Sequence, residues 1–399
     1  MPALTRDQRN VAVLSTCQML FGTGRSLIVA TSPLIGYSIA VDKSLATLPH
    51  ALVIVGTALL TLPAALLMRR IGRKNGFVIG GIIGALGGVV CMYGVLAADF
   101  WLFAFGTLLF GASAGFAQHY RFAVTDVASA AFRSKAISWV LAAGVVAGFA
   151  GPEIAKLSKD LFLPTLFLGP YLFLILITLL SSIVVLFVDI PNLSPKEAAH
   201  TGRPMREIMR QPVFMVAVMA ATIGQGVMNL LMTATPLAMH HANHPFDDTA
   251  FVIQWHSICM FAPGFFTGSL IKRWGEIKII MMGLIMLGLC VPIALAGNTV
   301  FLFWSSMALL GVGWNFAFTA GTSLLAEAHT PSERAKVQGW VNFIIYGTAA
   351  VAALSAGQLL HYFSWAMVNY VALPMIALAV VVTLYFAWMQ KSAQPAQGE

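Results

Sequence analysis

Charged residues are scarce in this chain of 399 residues. They make up 10% of the sequence, whereas hydrophobic residues make up 59%. A soluble domain carries roughly a quarter charged residues. The composition therefore excludes an ordinary water-soluble globular protein and indicates that most of the chain lies in a nonpolar environment.

Cysteine is scarce as well. The four cysteines, Cys17, Cys91, Cys259 and Cys290, all lie within apolar segments, and this arrangement provides neither a disulfide framework nor a CxxC metal site. The sequence also lacks an HExxH zinc motif, a Walker A loop and a dinucleotide-binding fingerprint. We therefore expect a protein that is not an enzyme, with no catalytic residues, no cofactor and no metal. An ATP-driven pump finds no support.

Long apolar blocks are abundant. A helix that crosses a bilayer needs about 20 apolar residues, and blocks of this length predict an all-α polytopic membrane protein with twelve transmembrane helices. The predicted spans are 11–38, 46–68, 76–97, 100–125, 134–156, 166–188, 213–239, 249–271, 277–297, 300–326, 335–360 and 365–388. We interpret the polar segment 191–212 as a cytoplasmic linker. It joins an N-terminal six-helix half at 1–190 to a C-terminal six-helix half at 213–399.

The same charge pattern follows an apolar run in each half. The first copy comprises Asp126, Arg133, Lys135 and Trp139, and the second copy, with identical spacing, comprises Glu327, Arg334, Lys336 and Trp340. A second repeated pattern matches Arg69-Arg70-Ile71-Gly72 with Lys272-Arg273-Trp274-Gly275. These repeats predict two pseudo-symmetric halves. In a chain this apolar, internal repetition is typical of secondary transporters, whose sites lie between the repeats.

The basic residues are distributed unevenly between the predicted loops. Most of the 23 Lys and Arg residues lie at the termini or in loops after even-numbered spans, whereas Lys43, Lys156 and Lys159 lie on the other side. Such a bias orients a membrane protein with its basic side in the cytoplasm. We therefore expect a multi-pass protein of the inner (plasma) membrane with both termini in the cytoplasm. The net charge of +8 is then a feature of topology, and we expect no nucleic-acid partner.

The loop between spans 2 and 3 carries a recognisable motif. The segment 65–74, ALLMRRIGRK, resembles the G-x-x-x-D-R-x-G-R-[RK] signature of the major facilitator superfamily. Gly151-Pro152 resembles the core of the antiporter motif of that superfamily. The resemblance covers the whole chain and implies the major facilitator fold, with a central substrate site formed by spans 1, 4, 7, 8, 10 and 11.

The resemblance also implies gating roles at the cytoplasmic side. Arg73 is expected to engage Asp126 as a latch, and Glu327 and Arg334 are the second-half counterparts of Asp126 and Arg133. The sequence departs from the family pattern at Arg69, where the motif has Asp, and at Ala155-Lys156, where the antiporter motif has Gly-Gly. The expected gating set is Arg69, Arg70, Gly72, Arg73, Asp126, Arg133, Glu327 and Arg334.

Ionisable residues lie deep within two predicted spans. Arg25 lies about 14 residues into span 1, or about 21 Å at 1.5 Å per residue, and Glu153 reaches a similar depth in span 5. Placing an ionisable side chain inside a membrane costs free energy, so each of these residues is a candidate for a functional role. The two residues either form a structural ion pair, or Arg25 binds an anionic group of the substrate while Glu153 takes up the coupling proton. Arg121 either reaches the cytoplasmic surface or lines the cavity.

Neutral polar residues are the main polar feature of the C-terminal spans. They either bridge helices or form a hydrogen-bonding wall for the substrate: Gln225, Asn229, Gln254, His256, Asn315, Asn342 and Tyr346. His256 is a second candidate for proton coupling, because histidine titrates near neutral pH. The segment 240–248 holds three histidines and two aspartates. It is either a solvated loop or a transition-metal site, and we expect the former.

We therefore predict a secondary active transporter that moves a small organic solute with an anionic group by alternating access. The predicted partners are the solute, protons and the lipid bilayer, and we expect a monomer. The altered antiporter motif favours uptake. The alternatives are a proton-driven efflux antiporter for drugs or metabolites, a facilitator without proton coupling, and a membrane sensor that does not transport.

Overall fold

The computed structural model describes residues 5–129, 132–190, 202–330 and 333–393. In these ranges the chain forms fifteen α-helices with short connections. They are α1 (Arg6–Ile39), α2 (Leu48–Ile71), α3 (Arg73–Leu96), α4 (Phe100–Ala117), α5 (Tyr120–Val127), α6 (Arg133–Ser158), α7 (Leu168–Val184), α8 (Met205–Met209), α9 (Pro212–His241), α10 (Phe246–Phe261), α11 (Gly264–Trp274), α12 (Glu276–Leu295), α13 (Val300–Leu325), α14 (Arg334–Tyr362) and α15 (Trp365–Ala393).

Most of the predicted spans are single helices. Within the described ranges, ten helical segments are long and apolar enough to cross a membrane. The predicted span 249–271 is divided at Pro263 into α10 and α11, because proline lacks an N–H group and its ring clashes with the preceding turn. The predicted span 100–125 is interrupted at Gln118 and His119, where the chain turns from α4 into α5.

The helix ends fall on two faces of the bundle. We call the terminal face the one that carries the starts of α1, α3, α6, α9, α12 and α14, and the far face the opposite one. On the terminal face, Asn10 near the start of α1 donates from Nδ2 to the main-chain oxygen of Asp189, at 2.8 Å. Gly72 and Gly275, from the repeated loop motif, have φ of +86° and +82° on this face. Glycine tolerates this backbone region best.

Two groups of helices each have their own hydrophobic core. In the N-terminal group, α1 to α7, the core contains large buried side chains such as Phe77, Phe103 and Tyr171. In the C-terminal group, α9 to α15, Leu231 and Ile280 are among the buried residues. This arrangement agrees with the predicted all-α fold of two six-helix halves. The domain boundaries at residues 190 and 213 stay a prediction.

Candidate functional site

A cavity of about 380 Å³, including its open mouth, lies between the two helix groups. We call it the central cavity, and its lining residues are Arg25, His50, Val53, Ile54, Thr57, Ala114, Gln118, Gln225, Asn229 and Tyr346. Small-molecule sites are typically clefts of roughly 300–1,000 Å³ with a few polar groups on an apolar wall. The central cavity has this character, and it brings together four predicted site residues: Arg25, Gln225, Asn229 and Tyr346.

Contacts between the two helix groups close the cavity on the far face. The hydroxyl of Thr47 donates to a main-chain oxygen of α14 at 3.3 Å and accepts the N–H of Gly357 at 3.1 Å. The ring of Tyr37, at the end of α1, packs edge-on against His240 and His241 of α9, with centroid distances of 5.8 and 5.4 Å. The far face therefore holds the two groups together in this conformation.

Arg25 supplies the positive charge of the cavity wall. It lies on α1 and is partly buried. Glu153 instead accepts a hydrogen bond from Nε2 of Gln254 at 2.8 Å. The structure therefore shows no Arg25–Glu153 ion pair among the residues it describes. The guanidinium remains available to a solute in the cavity.

Helix α9 contributes two polar residues to the cavity wall, Gln225 and Asn229, and hydrogen bonds hold both side chains in place. Oε1 of Gln225 accepts from the indole N–H of Trp314 at 2.8 Å. Nδ2 of Asn229 donates to the main-chain oxygen of Gln225, also at 2.8 Å. Asn229 is 1% exposed, and its Oδ1 atom has no hydrogen-bond partner within the described residues. A buried acceptor left unpaired is costly, so a solute with an N–H or O–H group is the natural partner for this oxygen.

Other polar residues of the predicted set lie away from the cavity and join helices. Nδ1 of His256 bonds to the main-chain oxygen of Met307 at 2.7 Å. Nδ2 of Asn315 donates to the main-chain oxygen of Met260 at 2.7 Å, and its Oδ1 accepts from Thr267 at 2.7 Å. These contacts match the helix-bridging interpretation. Asn342 on α14 is half-buried and is not among the lining residues.

The sequence prediction missed three polar lining residues, His50, Thr57 and Gln118. The hydroxyl of Thr57 is used within α2, where it donates to the main-chain oxygen of Val53. His50 lies in the first turn of α2, and a residue so close to the end of a span is ordinarily solvated. Gln118 lies at the turn between α4 and α5, inside what the sequence predicts as one continuous span. Both positions become part of the site only through packing of the helices around them.

The predicted gating residues are described only in part. Arg69 and Arg70 are exposed at the end of α2, and Glu327 is exposed after α13. Arg73 is half-buried and has interaction partners. Four predicted residues have side chains outside the described part of the structure: Arg121, Asp126, Arg133 and Arg334. The Arg73–Asp126 latch and a cavity position for Arg121 therefore stay predictions.

A different carboxylate is buried on the terminal face. Glu333 is 2% exposed, and its two oxygens accept from Nε and Nη2 of Arg203, both at 2.9 Å. The main-chain N–H groups of Arg203 and Thr330 add bonds of 2.7 and 3.0 Å. These hydrogen bonds, led by those from the Arg203 side chain, hold the pKa of Glu333 well below its usual range. The pair attaches the end of the predicted linker to the start of α14.

The histidines of segment 240–248, considered above as a possible transition-metal site, point to separate partners. Nε2 of His244 bonds to the main-chain oxygen of Asn298 at 2.6 Å, while His240 and His241 pack against Tyr37. In the ranges that the structure describes, no group of three or more metal-ligating side chains converges.

The sequence pattern that defines the Major Facilitator Superfamily matches residues 14–262 and again residues 227–399. The chain belongs to this superfamily. The riboflavin transporter RfnT of Brucella anthropi is 40% identical over 379 residues, which cover 94% of this chain and 95% of that protein. The uncharacterized MFS-type transporter YdeG of Bacillus subtilis is 27% identical over 396 residues, covering 94% of this chain and 91% of YdeG.

Solved structures agree with the family assignment. The crystal structure of the superfamily transporter FucP in the outward conformation superposes with a TM-score of 0.62 at 17% identity. The match covers 96% of this chain and 99% of FucP. The structural likeness shows the major facilitator fold. The family and the 40% identical relative show a multi-pass membrane protein that transports a small molecule.

Proposed function

We propose that this protein is a secondary active transporter of riboflavin or a close flavin relative. The observation that carries the proposal is the central cavity, whose polar wall lies on both helix groups. The 40% identity to RfnT over nearly the whole of both chains supports a flavin as the solute. The location of the cavity between the two groups supports transport by alternating access, because movement of one group against the other would expose such a site to each side in turn.

Hydrogen-bonding groups on both sides of the cavity suit a flavin. Riboflavin has a flat ring system with carbonyl oxygens and one N–H group at its polar edge, and a polyol chain. Arg25 carries five N–H donors and is suited to the ring carbonyls, while Gln225 and Asn229 line the same cavity from α9. The apolar side chains of Val53 and Ile54 line the cavity beside these polar groups.

The sequence predicts a substrate with an anionic group, and flavin mononucleotide is the flavin that fits this prediction. Arg25 also suits a phosphate, to which guanidinium binds in a two-pronged geometry. Flavin mononucleotide carries a phosphate at the end of the polyol chain, whereas riboflavin does not. We propose riboflavin as the substrate, because that is the solute named for the 40% identical relative.

Glu153 is the proposed proton-coupling residue. Its carboxylate on α6 accepts from Gln254 on α10 at 2.8 Å, so this bond joins the two helix groups. Hydrogen bonds to an ionised carboxylate are roughly twice as strong as neutral ones. Protonation of Glu153 therefore weakens the contact and favours separation of α6 from α10. His256 is less suited to this role, because its ring is held in the C-terminal group by the bond to Met307.

We place the protein in the inner membrane as a monomer, with both termini in the cytoplasm. The uneven distribution of basic residues supports this orientation. The far face is then periplasmic, and the structure is a state that is closed to the outside. Uptake is the proposed direction, supported by Ala155-Lys156 in place of the Gly-Gly of the antiporter motif.

Transport of riboflavin into proteoliposomes tests the proposal. Wild-type protein is expected to accumulate riboflavin when the outside is acidic, to lose accumulation when a protonophore is added, and to move flavin mononucleotide more slowly. Preference for flavin mononucleotide would restore the anionic-substrate prediction. Efflux of riboflavin driven by an inward proton gradient would support the antiporter alternative. No movement of either flavin would contradict the proposal.

A further inference from the structure

His50 is a buried polar residue of the central cavity with no protein partner. It is 3% exposed, and neither Nδ1 nor Nε2 has a hydrogen-bond partner within the described residues. An uncharged imidazole has one N–H donor and one acceptor nitrogen. Buried polar groups are hydrogen-bonded in the great majority of cases, so a ring left unpaired on a cavity wall points to a ligand.

Only one other cavity residue shares this property among those the structure describes. Oδ1 of Asn229, on the opposite helix group, is buried and unpaired. Because Nδ2 of Asn229 is occupied by the main-chain oxygen of Gln225, the free atom is an acceptor. Thr57 also lines the cavity, but its hydroxyl already donates to the main-chain oxygen of Val53 at 2.7 Å. Among the described lining residues, the buried side-chain atoms without a partner therefore belong to His50 and Asn229.

We propose that His50 and Asn229 are the specificity-determining residues of this site. They select an uncharged heterocycle that carries an N–H group beside a carbonyl. Asn229 accepts from the N–H of the substrate, and the N–H of His50 donates to a carbonyl oxygen. This inference rests on the proposed flavin transport and specifies that the protein binds the edge of the flavin ring that carries the N–H group and the carbonyls.

The unpaired acceptor Oδ1 of Asn229 favours a substrate with an N–H donor over a simple anion. A phosphate or carboxylate that is fully ionised has acceptors only, so it cannot satisfy Oδ1 of Asn229. A ring with an N–H flanked by carbonyls supplies both partners at once. A site built to bond such a group rejects an analogue that lacks it, because the buried protein atom is then left unpaired.

A riboflavin analogue methylated at the ring N–H provides the test. We would measure dissociation constants of riboflavin and 3-methylriboflavin for purified protein from the quenching of flavin fluorescence. Wild type is expected to bind riboflavin about tenfold more tightly than the methylated analogue. In Asn229→Ala this preference is expected to fall to about twofold or less. His50→Ala is expected to weaken both ligands about tenfold, and His50→Asn, which keeps an N–H donor, to recover part of that loss.

Thr61→Val provides a control on α2. The Thr61 hydroxyl donates to the main-chain oxygen of Thr57 at 2.6 Å and is not among the lining residues, so both affinities are expected to stay at wild-type values. Thermal unfolding of each variant checks that it is folded. Equal affinity of wild type for the two flavins overturns the inference without any variant, as does an unchanged preference in Asn229→Ala. If wild type binds neither flavin, the proposed function fails and the inference fails with it.

Discussion

Removal of the Thr47 hydroxyl is expected to shift the protein away from the state closed on the far face. Thr47 is fully buried, and its hydroxyl forms two hydrogen bonds to the main chain of α14, across the two helix groups. Each such bond contributes about 0.5–1.5 kcal/mol net. Thr47→Val keeps the shape of the side chain and removes both bonds, so the closed state loses about 1–3 kcal/mol relative to the open state. The ratio of closed to open molecules should fall about 5- to 150-fold.

Spin-label distances across the far face measure this shift. Val41, after α1, and Tyr362, at the end of α14, are exposed, and labels introduced as Val41→Cys and Tyr362→Cys report the separation of the two groups. The Thr47→Val protein is expected to gain a longer-distance population. Thr61→Val is the matched control, because the Thr61 bond lies within α2. An unchanged distance distribution in Thr47→Val would refute the role given to this contact.

Three further predictions concern coupling, closure and stability. Glu153→Gln should abolish the acceleration of riboflavin uptake by outside acid and retain exchange of riboflavin across the membrane, and a wild-type pH profile would move coupling elsewhere. Gly357→Ala should also open the far face, because an added Cβ meets the Thr47 hydroxyl at 2.5 Å; spin-label distances identical to wild type would contradict this. The pKa of Glu333 is lower in the folded protein than in an unfolded chain. The resulting stabilisation of the folded state is complete above the ordinary glutamate pKa and is lost as the pH falls. The unfolding temperature of wild type should therefore decrease more between about pH 5 and about pH 3 than that of Glu333→Gln, and parallel curves would argue against the Arg203 contact.

The fold was largely predictable because bilayer-length apolar runs and a repeated loop motif are local properties of the sequence. The exceptions have local causes that the apolar pattern conceals. Pro263 divides one predicted span, and the turn at Gln118 and His119 interrupts another. Both interruptions lie within runs that remain apolar, so average hydrophobicity did not reveal them.

The site was predictable only in part. Gln225 and Asn229 are four residues apart and share a helix face, and both line the cavity with Arg25. In contrast, Asn315 has the same kind of side chain in the same kind of span, yet it bridges helices. A helix that is hydrophobic all round does not show which of its faces meets a cavity.

The lining residue His50 and the pairing of Glu153 with Gln254 were not predicted, because both depend on contacts between distant segments. His50 is buried although it lies in the first turn of α2. The Glu153–Gln254 bond joins α6 to α10. A single sequence does not show which distant helices pack against each other. The surroundings of His50 and the partner of Glu153 are therefore seen only in the folded protein.

The proposed function requires that a flavin binds beside Arg25 in the cavity between the two helix groups. Calorimetric titration of purified protein with riboflavin tests it most directly, with Arg25→Ala as the variant and Arg9→Ala, which removes an exposed arginine, as the control. A hydrogen bond to a charged group contributes about 1.5–3 kcal/mol, so Arg25→Ala should weaken binding by about 10- to 150-fold while Arg9→Ala binds as wild type. Equal affinity of wild type and Arg25→Ala, or no binding of riboflavin by wild type, would contradict the account.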